Sequence, residues 1–114
     1  MDAIAAEAGV SKATLYLRYG SKSDVATAAM ARLRAANEPV ATGDMRADLV
    51  ARLQRVLAYA EVPSVMPLVG TCLAEEHQTP ELLRLFRERS VAPRRAAVRG
   101  ILITAQERGE LPGG

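Results

Sequence analysis

The chain of 114 residues has one cysteine, one histidine, one phenylalanine and no tryptophan. With Cys72 alone, no disulfide can close within it, and a reducing cytoplasm is the expected compartment. Cys72, Glu75, Glu76 and His77 lie close in sequence, but without a second cysteine or histidine they cannot complete a zinc shell. A buried thiol beside a solvated acidic helix end is the expected reading. There is no glycine-rich phosphate loop and no acid-base pair of recognisable spacing, so neither an enzyme nor a cofactor is indicated. No apolar run reaches the ~18 residues of a spanning helix. The opening MDAIAAEAG has neither the basic flank nor the long apolar core of a signal peptide.

Net charge is also small, and the value of +2 is weak evidence for a nucleic-acid partner. Its distribution says more. Between Ser11 and Lys22 the chain carries Lys12, Arg18 and Lys22 and no acid, the stretch from Asn37 to Pro80 is acidic on balance, and Glu81 to Glu110 is basic again. A hydrophobic share of 49% fits a folded protein with a modest core.

Local patterning is helical throughout. Ile4, Ala5 and Ala8 form the stripe of a two-turn helix that Gly9 ends. Ser11 is placed to cap a second short helix to Tyr19, and Ser21 with Asp24 opens a third that runs to about Ala36, with Val25, Ala28, Ala29 and Leu33 on one face. AANEPVATGD breaks the pattern and is the best domain boundary. From Asp44 to Glu61, Met45, Leu49, Leu53, Val56, Leu57 and Ala60 recur at helical spacing, with Arg46, Arg52 and Arg55 mostly elsewhere on the circumference. Ser64 to His77 reads as an apolar helix with Pro67 in its first turn. Thr79 and Pro80 cap and open the next, which Pro93 ends or kinks before a last helix stops at Gly109. No strand pattern competes, so the fold class is all-α.

Two short helices joined by a glycine turn describe a helix-turn-helix, whose second helix enters a DNA major groove. At about 100° per residue, Lys12, Ala13 and Tyr16 share an arc suited to the groove, and Leu15 and Tyr19 share one suited to the core. Lys12 can bond guanine O6 or N7 or meet a phosphate, and Ala13 is small enough to approach a thymine methyl.

The string IAAEAGVSKATLYLRYGSKSDV closely resembles the DNA-binding segment of the TetR family of transcriptional regulators, combining the I-A-x-x-A-G-V-S turn, the T-L-Y core and the following G-S-K. The resemblance implies that Lys12, Ala13, Thr14 and Tyr16 contact bases or backbone, that Arg18 and Lys22 contact phosphate, and that Tyr19 packs in the core. Leu17 departs from the aromatic or basic residue common there. HQTPELLRLFRERSVAPRRAAVRGILITAQERGEL likewise resembles the regulatory domain of one TetR branch. The family has a helix ahead of the one starting at Met1 and two long dimerisation helices after the point where this sequence stops. The sequence therefore reads as an internal part of a regulator or a shortened gene product. Ile4, Val10, Leu15 and Val25 are expected to lose cover, each forfeiting up to roughly 1.5–3 kcal/mol of burial.

The resulting expectation is a TetR-like, ligand-responsive repressor. Residues 1–36 form a helix-turn-helix domain lacking its first helix, and 44–114 form a partial helical regulatory domain. Its partners are double-stranded operator DNA, a small apolar effector and, in a full-length member, a second copy. Leu53, Leu57, Met66, Leu73 and Phe86 are candidates for the effector pocket, although core packing is the preferred reading for each. Arg84, Arg87, Arg89, Arg94, Arg95 and Arg99 form a basic run whose default reading is a solvated face. The alternative function is a truncated helical fragment without DNA binding of its own that pairs with an intact family member.

Overall fold

Ser11, Ser21 and Asp44 cap the starts of three helices. In the computed structural model, which describes residues 1–36 and 38–111, every regular element among the described residues is helical. Asn37 of the expected boundary and residues 112–114 of the expected second domain lie outside the described residues. Helix α1 (Asp2–Ala8) ends at Gly9, whose φ of 70° lets its N–H reach Ala6 O and that of Val10 reach Ala5 O. This double bond satisfies carbonyls the helix end would leave open, in the left-handed geometry that glycine adopts most cheaply. Ser11 accepts from Thr14 N at 3.1 Å to begin α2 (Lys12–Arg18), and Ser21 accepts from Asp24 N at 3.1 Å to begin α3 (Lys22–Ala35).

The end of the expected boundary segment, at Thr42 and Gly43, is pinned to the next helix. Asp48, buried one turn into α4 (Met45–Glu61), accepts from Thr42 N at 2.9 Å, Thr42 Oγ1 at 2.8 Å and Gly43 N at 3.2 Å. These donors, Thr42 N–H foremost, hold the Asp48 carboxyl below its ordinary value. Asp44 caps the same helix through Ala47 N.

Helix α5 (Val65–Ala74) turns away from α4 by 85° and stops short of the expected His77. Helix α6 (Pro80–Phe86) opens on Pro80 as expected, but Thr79 makes no side-chain cap bond. Pro93 neither stops the chain nor breaks it. A π turn (Arg87–Val91) leads into α7 (Ala92–Glu107) with helical backbone throughout, and Ala92 N–H reaches back to Arg87 O. Proline has no N–H and its ring crowds the carbonyl four residues back, here that of Arg89. Widening the preceding turn accommodates that clash while the backbone stays helical.

The core lies where α3, α5 and α6 meet, around Met30, Cys72, Leu82, Leu83 and Phe86. Burial raises the pKa of the Cys72 thiol. Helix α7 runs antiparallel to α4: Arg108 donates to Gly43 O at one end, and Arg94 lies over the Tyr59 ring, 4.5 Å from its centroid, at the other. The radius of gyration is 17.4 Å with extents of 54 × 29 × 25 Å. A compact chain of this length would have about 13 Å, so the helices form an elongated body with a small core.

Two expected faces are turned. The buried side of α3 is Ser23, Thr27 and Met30, while Ala29 and Leu33 are exposed. In α4 the inward side is Asp48, Arg52, Arg55 and Tyr59, and the apolar stripe of Val50, Leu53, Val56 and Leu57 faces out. The polar side turns inward because each of its members finds a partner there. Arg52 pairs with Glu38, Arg55 donates to Leu33 O and Ala36 O, and Tyr59 Oη donates to Met30 O at 3.3 Å.

Candidate functional site

Leu15 anchors α2. Its side chain is buried and Tyr19 is half-buried, so the opposite side of this short helix must face out. Lys12, Ala13, Thr14, Tyr16 and Arg18 are all exposed there, as is Lys22 at the start of α3. Leu17, at 89% exposure, is also open to solvent.

Two of these side chains are engaged. Thr14 Oγ1 shares a 2.8 Å hydrogen bond with Ser11 Oγ, which fixes its rotamer at the cap. Lys12 Nζ sits 3.1 Å from Asp2 Oδ1 across the glycine turn, and this hydrogen-bonded acid raises the lysine pKa. Asp2 was not foreseen as part of the site; its only signal in the sequence is an acid in the first turn of α1. Of the four apolar positions expected to lose cover, Leu15 keeps it. Ile4 and Val25 are part-exposed and Val10 is 41% exposed.

The helix-turn-helix is joined to the rest of the chain through α3. Arg89, inward from the π turn, donates to Asp24 O at 3.0 Å and Thr27 Oγ1 at 3.1 Å, and pairs with Asp24 Oδ1 at 2.6 Å. Asp24 also accepts from Gly20 N at 2.9 Å, so its capping contact reaches one residue further back than a capping box requires. Ser21 Oγ donates to Glu81 Oε2 of α6 at 3.4 Å. The expected solvated run of arginines is thus divided. Arg89 and Arg94 turn inward, Arg84 pairs with Glu81 and Glu88, and Arg87, Arg95 and Arg99 remain exposed.

The five candidate pocket residues do not converge. Phe86 belongs to the core, whereas Leu53, Leu57, Met66 and Leu73 are each more than half exposed, contrary to the preferred core reading. The turned face of α4 is the reason for the first two. A cavity of about 220 Å³ does open beside Leu53, between α4, α7 and the segment after α3, but the other four candidates do not line it. A second, of about 320 Å³, lies between α7 and the segment around Gly43. Among the described residues no three His, Cys, Asp or Glu side chains converge to hold a metal ion, and no single helix is long and apolar enough to cross a membrane.

An all-helical chain that opens with two short helices around a left-handed glycine, the second presenting a basic and small-residue face, falls in the class of helix-turn-helix proteins. Comparison with known proteins narrows the class. Residues 1–29 match the family described as bacterial regulatory proteins, tetR family, and residues 39–114 match the tetracyclin repressor-like C-terminal domain. The chain belongs to the TetR family. It is 35% identical over 112 residues to an uncharacterized HTH-type transcriptional regulator of Mycobacterium bovis, and equally so to those of two Mycobacterium tuberculosis strains. The alignment takes in 97% of this chain and 54% of each relative, so the chain spans about half the length of the curated relatives it matches. No solved structure matches it.

Proposed function

We propose that this chain is the DNA-reading and effector-sensing part of a transcriptional repressor. Residues 1–36 form the reading head and residues from 44 onward form the regulatory unit. The observation that carries the reading is the open face of α2, where Lys12, Ala13, Thr14 and Tyr16 stand exposed above the buried Leu15. Such a helix enters the major groove, where Lys12 and Ala13 meet base edges and Arg18 and Lys22 neutralise phosphate. Lys22, in the first turn of α3, adds its charge to that of the helix N-terminus, which suits an oxyanion. Two copies in the cytoplasm would present two such helices to an operator. A small ligand in the second unit would shift the population between bound and free states. The contacts of Arg89 and Glu81 with α3 give that unit a mechanical hold on the reading head.

The test is fluorescence anisotropy on a labelled duplex at about 50 and 200 mM salt, where phosphate contacts dominate the salt slope. Wild type is expected to bind in a salt-sensitive manner, and Lys12→Ala with Lys22→Ala to bind more weakly with a flatter slope. Asp2→Asn, which frees Lys12 from its carboxylate, is expected to bind more tightly at low salt. Absence of binding at both salts would refute DNA recognition by this chain alone. The second reading, a helical unit that pairs with an intact family member, is favoured by the apolar stripe α4 turns outward.

A further inference from the structure

The cavity beside Leu53 is unusual in its charge. Four arginines, Arg34, Arg52, Arg55 and Arg94, line it against a single carboxylate, Glu38. The carboxylate is already divided: one oxygen meets Arg52 and the other lies 3.6 Å from Arg34. Arg55 is spent on the carbonyls that end α3. Among the described residues the buried Nε of Arg34 finds no hydrogen-bond partner. Arg94 lies over the Tyr59 ring, and burial first, then the nearby Arg34 charge, lowers its pKa against the opposing pull of Tyr59 and Glu38. Guanidinium groups do not lose their proton to relieve such crowding. The cluster therefore carries surplus positive charge at a half-buried place, where a matching anion gains most.

The rest of the lining is mostly apolar. Leu49, Leu53 and Val56 of α4 and Val98 of α7 contribute to it, and Leu53 and Val56 belong to the stripe that α4 turns away from the core. At about 220 Å³ the space suits only a small molecule, below the usual ligand cavity of about 300–1,000 Å³.

We infer that this cavity binds a small amphipathic carboxylate, with its anionic head between Arg34 and Arg94 and its hydrocarbon body along Leu49, Leu53, Val56 and Val98. The inference rests on the effector reading for its regulatory meaning and gives that effector a chemical class, an anion with a short apolar tail in place of a purely apolar molecule. Binding itself needs no DNA. The site also adjoins the end of α3, so that an occupant drawing on Arg34 competes with the Glu38 contact that holds the segment between α3 and α4.

The test is titration calorimetry of the chain with octanoate and with octanol, which share a body and differ in the head. Octanoate is expected to bind saturably and octanol at least about ten-fold more weakly, as loss of a charge-assisted pair implies. Arg94→Met keeps an apolar stem over Tyr59 and is expected to lower octanoate affinity about ten-fold while leaving octanol unchanged. Should that variant fold poorly by circular dichroism, Leu53→Asp at the exposed mouth places a like charge beside the ligand and is expected to abolish octanoate binding without loss of helicity. Equal affinity for the two probes, no binding of octanoate, or octanoate binding indifferent to both substitutions would overturn the inference. The DNA assay fails or succeeds separately. Octanoate binding without an effect on anisotropy would keep the site and remove its regulatory role, whereas DNA binding without octanoate binding would remove the site alone.

Discussion

Arg89 reaches 65 residues back along the chain to Asp24, pairing with its carboxylate at 2.6 Å while the same Nη1 donates to its backbone carbonyl at 3.0 Å. It links the π turn to the first turn of α3, so the widened helix and the helix-turn-helix hold one another in place. Thr27 Oγ1, which donates to Ser23 O at 2.7 Å, accepts from the same guanidinium nitrogen.

Arg89→Met should therefore loosen α3 more than a surface arginine would. It leaves Asp24 without its cation and removes a donor from the buried Thr27. The expected result is a thermal midpoint lowered by roughly 5–10 °C for a domain of this size, with hydrogen exchange accelerated in α3 and the π turn before α7. Arg95→Met, on the exposed face of α7, is the control and should shift the midpoint little. Equal shifts would mean that the Asp24 contact does not hold α3.

The same carboxylate sets an acid limit. Asp24 is held below its ordinary value of 3.8, first by the Gly20 N–H and then by Arg89. Asp48 is held below it by the N–H and hydroxyl of Thr42. A carboxyl with a depressed folded pKa contributes stability that is fully present above the unfolded value. That contribution is lost as pH falls through the folded one. The midpoint should thus be flat from neutral pH to about 5 and fall steeply below about 4. Asp24→Asn with Asp48→Asn should flatten the acid limb while lowering the plateau. A plateau and acid limb unchanged by both substitutions would show that these groups titrate as they do in the unfolded chain.

The capped starts were legible because their causes are local. Ser11 and Ser21 each cap a helix within three residues, and Gly9 ends one helix in a left-handed turn and admits the next, whereas Thr79, read as a cap, makes no such bond. The two-sided character of α2 was legible too, since a seven-residue helix with a buried Leu15 has few ways to face. What stayed hidden depends on partners distant in sequence. Helical spacing shows that α4 has an apolar stripe, but which side is covered is decided by Glu38, Ala36 O, Met30 O and Thr42, none of them on α4. The cavity was hidden for the same reason: Arg34, Arg52 and Arg94 come from three segments, and only folding brings their charge together. The π turn follows from the crowding of Pro93 on Arg89 O, which the sequence offers equally as a break or a kink.

The turned face of α4 makes a quantitative claim about leucines that look alike in sequence. Leu53 and Leu57 lie on the spacing that ordinarily marks a core, yet they are 62% and 57% exposed, whereas Leu83 of α6 is 5% exposed. Replacing a mostly exposed leucine by glutamine removes little buried area and leaves no closed cavity, so Leu53→Gln and Leu57→Gln should each change unfolding free energy by no more than about 0.5 kcal/mol. Leu83→Ala removes atoms packed in the core cluster and should cost about 2–5 kcal/mol. Urea unfolding at low protein concentration reads all three on one scale. Concentration must be kept low because self-association through the stripe would couple its leucines to stability by mass action. If Leu53→Gln costs as much as Leu83→Ala under those conditions, the apolar side of α4 is packed within the chain, and the inward arrangement of Asp48, Arg52, Arg55 and Tyr59 is wrong.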